Sequence, residues 1–224
     1  MMITRSFIVK TGSIGILLLL ALSVTAQKTA PPKPTLPTIF QKNLIQNGNA
    51  ESGDGSGWSN AGELKTILYG DFGGGPGKDS PGPTDRGEKY FYARTTTSQP
   101  TATFSQKTDV SSAAATVDKG GVSYNFGGWF GVANGSSSSG RLKITFLDAA
   151  GKELKTDITA VINEDNRPPD ETMVERNGGG ELPVGTRKIS IVLEFKIFGK
   201  LDEERDNLAF ADNLWLTLTS KGDK

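Results

Sequence analysis

The sequence predicts an all-β protein, an antiparallel two-sheet β-sandwich. Two observations carry that prediction: short runs in which apolar and polar residues alternate, and 28 Gly and 11 Pro that fall in turn-like clusters between those runs. A third is that no stretch keeps a helical apolar stripe over a dozen residues. Alternation with period two gives a strand one buried face, and strands of that kind bury it against a second sheet.

From residue 42 the elements follow in order. Residues 88–96 and 101–110 read as strands. Ser111 and Ser112, followed by Ala113, Ala114 and Ala115 and closed by Gly120 and Gly121, suit one or two helical turns. Val122, Tyr124 and Phe126 alternate into Gly127, Gly128 and Trp129. Leu142, Ile144 and Phe146 form the next strand, Ala149, Ala150 and Gly151 a turn, and Leu154, Ile158 and Val161 its hairpin partner. The clearest run is 188–198, where Ile189, Ile191, Leu193, Phe195 and Ile197 alternate, Val192 being the one apolar exception. Leu214, Leu216 and Leu218 close the series. That makes around eight strands with no fixed repeat period, which argues against a propeller or solenoid. Segments 71–87, 163–185 and 199–207 are too long and irregular for hairpin turns, and such loops are where function concentrates.

Ahead of the sandwich, residues 1–26 read as a secretory signal: Arg5 and Lys10 in front, an apolar run from Ile14 to Leu22, and Val24 and Ala26 before the cleavage point. The run is shorter than the ~20 residues of a membrane-spanning helix, so no stable membrane insertion is expected after cleavage. Residues 27–41, with Pro31, Pro32, Pro34 and Pro37, read as an extended, disordered spacer, and 42–220 as the folded domain. The expected location is secreted or periplasmic.

Composition removes whole classes of chemistry. The 224 residues contain no His and no Cys, which excludes Ser-His-Asp and Cys-His catalysis, thiolate zinc, iron–sulfur clusters and disulfides. Basic and acidic residues balance at 25 each, and no nucleic-acid partner is expected, because neutralising phosphates needs a basic excess. Cleaving the signal leaves 23 basic against 25 acidic residues.

The domain opens with Asn43-Leu44-Ile45-Gln46-Asn47-Gly48-Asn49-Ala50-Glu51, continues to Gly57-Trp58, and closes with Ala211-Asp212-Asn213-Leu214-Trp215-Leu216. With 87–92, Phe104-Ser105-Gln106, Asp109-Val110, Phe146-Leu147-Asp148 and 183–187 in the same order, this resembles the galactose-binding-like jelly rolls, which include many carbohydrate-binding modules of secreted bacterial proteins. The resemblance implies a structural calcium ion where the first and last strands meet, with Glu51 and Asp212 as carboxylate ligands and a backbone carbonyl near Lys89. The alternative for both acids is the capping of turns by hydrogen bonds to backbone amides. Asn49 stands where an Asp is more usual.

Alternation also separates the tryptophans. With Val122, Tyr124 and Phe126 in the core, Trp129 lies on the opposite face beside Asn125, and Trp215 faces away from Leu214 and Leu216. Trp129, Trp215 and Asn125 are therefore the expected ligand-binding residues: indoles stack on a sugar's C–H face while an amide bonds its hydroxyls. The alternative is that the long loops cover both rings. Trp58, Tyr90 and Tyr92 read as packing residues. The expected partner is a carbohydrate or a cell-surface polymer, and the expected role is non-catalytic binding. A structural or adhesive matrix protein is the competing reading, and a carboxylate-dependent glycosidase a more distant one. Asn134-Gly135-Ser136 matches a glycosylation sequon.

Overall fold

The computed structural model describes residues 39–221 apart from 61–62, 97, 134–135, 137, 163–165, 167–168, 170–171 and 198–206. The export signal, the spacer up to residue 38, the acidic stretch at 199–206, and Asn134 and Gly135 of the sequon lie outside the described residues.

Among the described residues nine strands form two antiparallel sheets: β1 (Lys65–Leu68), β2 (Lys89–Thr95), β3 (Thr101–Asp109), β4 (Val122–Val132), β5 (Ser138–Leu147), β6 (Glu153–Ile158), β7 (Val174–Glu181), β8 (Lys188–Ile197) and β9 (Asn207–Ser220). A 3-10 turn, Ser111–Ala113, runs into the single-turn helix α1 (Ala114–Val117). The five-stranded sheet has the order β1-β2-β9-β4-β7 and the four-stranded sheet β3-β8-β5-β6. This is the two-sheet sandwich that the alternation predicts.

The core lies where the alternating residues meet. Ile191, Leu193 and Phe195 of β8, with Leu142 and Ile144 of β5, pack against Phe91, Phe126, Leu216 and Leu218 of the other sheet, all without solvent exposure. Burying each such side chain contributes roughly 1.5–3 kcal/mol, so these two layers dominate the stability. Trp58 joins this core edge-on to Phe91.

Three features differ from the sequence reading. Residues 163–185 are not loop throughout, because β7 occupies Val174–Glu181 on the free side of β4. Its glycines hid it: a Cβ on Gly178 would stand 2.6 Å from the Phe126 ring and one on Gly179 2.8 Å from the Tyr124 carbonyl. In β6 the apolar residues face outward, with Leu154 and Ile158 exposed. Lys155 and Asp157 turn inward instead, where Lys155 Nζ donates to the Tyr124 hydroxyl and that hydroxyl donates to Asp157. Inward charge of this kind protects an edge strand. Finally, Ile39 and Phe40 are buried in the main core, so the packed body begins inside the segment read as spacer.

The opening segment closes the sandwich. Gln41 and Leu44 N–H donate to the Leu218 and Leu216 carbonyls of β9, and Leu214 N–H donates to Gly48 O. The Asn43 carboxamide joins the same strand, donating to Leu214 O and accepting from Leu216 N–H. On the other side Gln46 and Gln106 of β3 exchange two hydrogen bonds, at 3.0 and 2.6 Å. One stretch of chain thus ties the second half of β9, in the middle of one sheet, to the edge strand β3 of the other.

Candidate functional site

The outer face of the five-stranded sheet carries the candidate site, and a bulge in β9 sets it. Gly127 pairs with Trp215 but Trp129 pairs with Asp212, so β9 has one extra residue there. Asn213 takes up the excess in the left-handed region at φ 44, which Asn tolerates better than most residues. Strict alternation would put positions 212 and 215 on opposite faces. The extra residue puts both on the outer face.

At one end that face is covered. Tyr69, Tyr90, Phe210 and Met173 form a second buried cluster, with Trp129 half-buried against it. The loop between β1 and β2 lies over this cluster. Arg86 fastens the loop, donating to the Pro83, Gly77 and Ser80 carbonyls with its guanidinium 5.0 Å from the Tyr69 ring centre. Met173 N–H donates to Pro81 O from the other side.

Beneath this cover lies Asp212, fully buried, its Oδ2 accepting from the Tyr69 hydroxyl at 2.6 Å and its Oδ1 from Asn213 N–H at 2.7 Å. Burial pushes its carboxyl up to about 7, and the charges of Glu51 and Asp85 add to the rise against those two hydrogen bonds. Burial beside Asp212 likewise drives the Tyr69 phenol far up. Glu51 Oε1 accepts from Glu88 and Lys89 N–H at 3.0 and 2.8 Å. The Glu51 side chain passes close to Gly87, where a Cβ would stand 2.6 Å from Oε1.

Both acids expected to hold calcium therefore bond to backbone amides, and Lys89 meets Glu51 through its N–H rather than its carbonyl. Among the described residues no group of three or more Asp, Glu, His or Cys side chains is gathered as a metal site. The donor set still suits a hard cation, since Glu51 Oε2 makes no bond among the described residues and no basic side chain bonds Glu51 or Asp212.

Where the cover ends, a cleft of about 520 Å³ opens. Trp129 and Trp215 both line it, with Asn43, Asn47, Gly48 and Asn49 of the opening segment, Asp85 of the loop, and Asn213 of the bulge. Gly48 is required there, because a Cβ would stand 2.3 Å from the Leu214 carbonyl. Gly127 leaves room for the Trp215 ring, which would lie 2.6 Å from a Cβ at that position.

Most of the amides in the cleft are committed. Asn43 holds β9, and Asn47 donates to the Asp54 and Ser56 carbonyls and accepts from Ser52 N–H. Asn213 Nδ2 donates to Asp85 Oδ1 at 2.8 Å. Asn49 and Asp85 Oδ2 make no hydrogen bond among the described residues and face the cleft as open polar groups.

The structure thus brings together the two tryptophans that sequence reasoning chose and leaves out the third residue. Asn125 is exposed on the same face but does not line the cleft: it pairs with Thr217 and Gly179, beyond Trp215. The polar groups come instead from Asn49, Asp85 and Asn213. Their signal was the long Gly- and Pro-rich loop carrying Asp85 and the Asn pattern of the opening and closing motifs.

No protein-family model matches this chain, and no curated protein matches it. Among solved structures it is similar to the enzymatically active domain of bacteriophage CBA120 tailspike protein 4, with a TM-score of 0.50 and 18% identity over 79% of this chain and 21% of that one. The chain spans about a fifth of that tailspike domain. It is also similar to the C-terminal family 22 carbohydrate-binding module of Clostridium thermocellum Xyn10B, with a TM-score of 0.45 and 13% identity over 80% and 94% of the two chains. A third is the family 22 xylan-binding domain of Paenibacillus barcinonensis Xyn10C, with a TM-score of 0.40 and 14% identity over 75% and 89%. At 18% identity and a TM-score of 0.50, the likeness to the tailspike domain is one of fold alone. No helix among the described residues is long and apolar enough to cross a membrane.

Proposed function

We propose that this chain is an exported, non-catalytic carbohydrate-binding module whose ligand lies in the cleft between Trp129 and Trp215. The observation that supports this reading is the convergence of two half-exposed indoles with open amide and carboxylate groups in one cleft. Flat aromatic faces take up the apolar face of a pyranose, while Asn49 and Asp85 meet its hydroxyls. A hydrolytic role draws less support: Asp85 is the cleft's carboxylate, and Asp212, beneath the cover, has both oxygens engaged.

The test is calorimetric titration of the folded domain with neutral, amino and acidic oligosaccharides. Trp129→Ala and Trp215→Ala each weaken binding by roughly five- to 150-fold, in line with the 1–3 kcal/mol typical of a stacked ring (about tenfold per 1.4 kcal/mol). Unchanged affinity in both variants overturns the reading. Calcium bound by Glu51 and Asp212 is part of the proposal. It would neutralise the uncompensated carboxylates and stiffen the junction of opening segment and β9. Added calcium then raises the melting temperature, and chelator reverses the rise.

One observation favours a second reading, that of a matrix or adhesive protein: Leu154 and Ile158 project outward from an edge strand, with Val184 also exposed. On that reading the protein self-associates as its concentration rises, and Leu154→Lys abolishes the association, as read by analytical ultracentrifugation.

A further inference from the structure

We infer that the tryptophan cleft selects sugars bearing a protonated amine, hexosamine units with a free amino group, over uncharged sugars and most strongly over uronates. This rests on the glycan-binding reading and adds the ligand's charge to it.

The inference follows from which groups remain available. Asn47 is saturated by the backbone it holds, Asn43 spends its carbonyl and one amide hydrogen on the backbone, and Asn213 donates to Asp85. The charged group left facing the cleft is the Asp85 carboxylate, anchored through Oδ1 with Oδ2 open. A carboxylate accepts hydrogen bonds and cannot donate them, so it meets a hydroxyl or an ammonium and repels another carboxylate.

Among the described residues none that lines the cleft is Lys or Arg, so a uronate would meet no cation from them. Arg86, the nearest loop cation in sequence, is spent on three backbone carbonyls. The indole faces of Trp129 and Trp215 favour a cation for their own reason, the negative potential above an aromatic ring.

Charge behind the cleft acts in the same direction. Glu51 and Asp85 both act on Asp212, so three carboxyl groups share this end of the sheet. A doubly charged ion at Glu51 and Asp212 would still leave one negative charge among the three.

The experiment titrates three oligosaccharide series of equal length at low ionic strength: deacetylated chito-oligosaccharides, cello-oligosaccharides and oligogalacturonides. The expected order is amine, then neutral, then acid, with about tenfold between the first two. Salt narrows that gap. Asp85→Asn keeps the side-chain size and an acceptor for Asn213, and brings the amine series down to the neutral one. Asp85→Glu restores the order. Equal affinity for all three series overturns the inference and leaves glycan binding standing. An amine preference that survives in Asp85→Asn overturns the role given to that carboxylate. Binding to none of the three series, with both tryptophan variants equally inert, removes the glycan reading and this inference with it.

Discussion

The two ends of one sheet surface have been put to opposite uses. At the end formed by β1, β2 and the first half of β9, outward-facing Tyr90 and Phe210 lie sealed beneath a loop fastened by Arg86. At the other end, outward-facing Asn125 and Thr217 meet solvent across a strand of glycines. Strand geometry is the same at both ends. What differs is whether a long loop has aromatic side chains to close upon, and the cleft lies at the boundary. An aromatic on the outer face of a strand is therefore a binding platform only where the cover stops.

That contrast predicts mutational effects of very different size. Phe210→Ala, which empties the sealed cluster, destabilises the domain by about 3–5 kcal/mol in chemical denaturation, against a few tenths for Thr217→Ala at the open end. Similar costs at both positions would show that the two ends are equally packed.

Asp212 gives the next effect, and it depends on pH. Its carboxyl stands at about 7 in the folded protein against an ordinary 3.8. Below 3.8 the group is protonated folded and unfolded, and contributes nothing. As pH rises from about 4 to 7 the unfolded chain ionises first, so the folded state loses stability, and above 7 the loss is constant. Asp212→Asn removes that slope in denaturation curves measured across the range. Calcium, which favours the ionised form, reduces it in the unsubstituted protein. A slope that persists in Asp212→Asn places the titration elsewhere.

The smallest effect tests how far the cleft extends. Asn125→Ala changes stability by less than about 0.5 kcal/mol and weakens glycan binding far less than either tryptophan substitution. A loss as large as that of Trp215→Ala would extend the site along β4 and blur the boundary between the two ends.

The sequence revealed unequal parts of this arrangement, for physical reasons. β8 was legible because Ile189, Ile191, Leu193, Phe195 and Ile197 recur at every second position with only Val192 out of pattern, and β5 through Leu142, Ile144 and Phe146. β7 was not, because its partner's aromatics fill the space that its own side chains would need, leaving Gly178, Gly179 and Gly180 with no pattern to read. Both tryptophans were assignable to the outer face from local alternation alone. Asn125 was assigned with them because alternation tells faces apart but says nothing of distance along a strand. Asn49 and Asp85 reach the cleft through left-handed turns and a loop closure, such as Asn47 at φ 47, and no periodicity encodes those.

The pairing of the opening segment with β9 has a mechanical consequence. The two run antiparallel, Gln41 opposite Leu218, Leu44 opposite Leu216 and Gly48 opposite Leu214, so chain entry and chain exit lie side by side. A pull between them loads these bonds one after another, as in opening a zip, instead of shearing them all at once. The seam parts from Gln41 inward, and the last bond to yield, Leu214 to Gly48, is the one at the floor of the tryptophan cleft. Tension across this seam therefore reaches Asn43 at the cleft's edge early, and the Leu214–Gly48 bond beneath the cleft last.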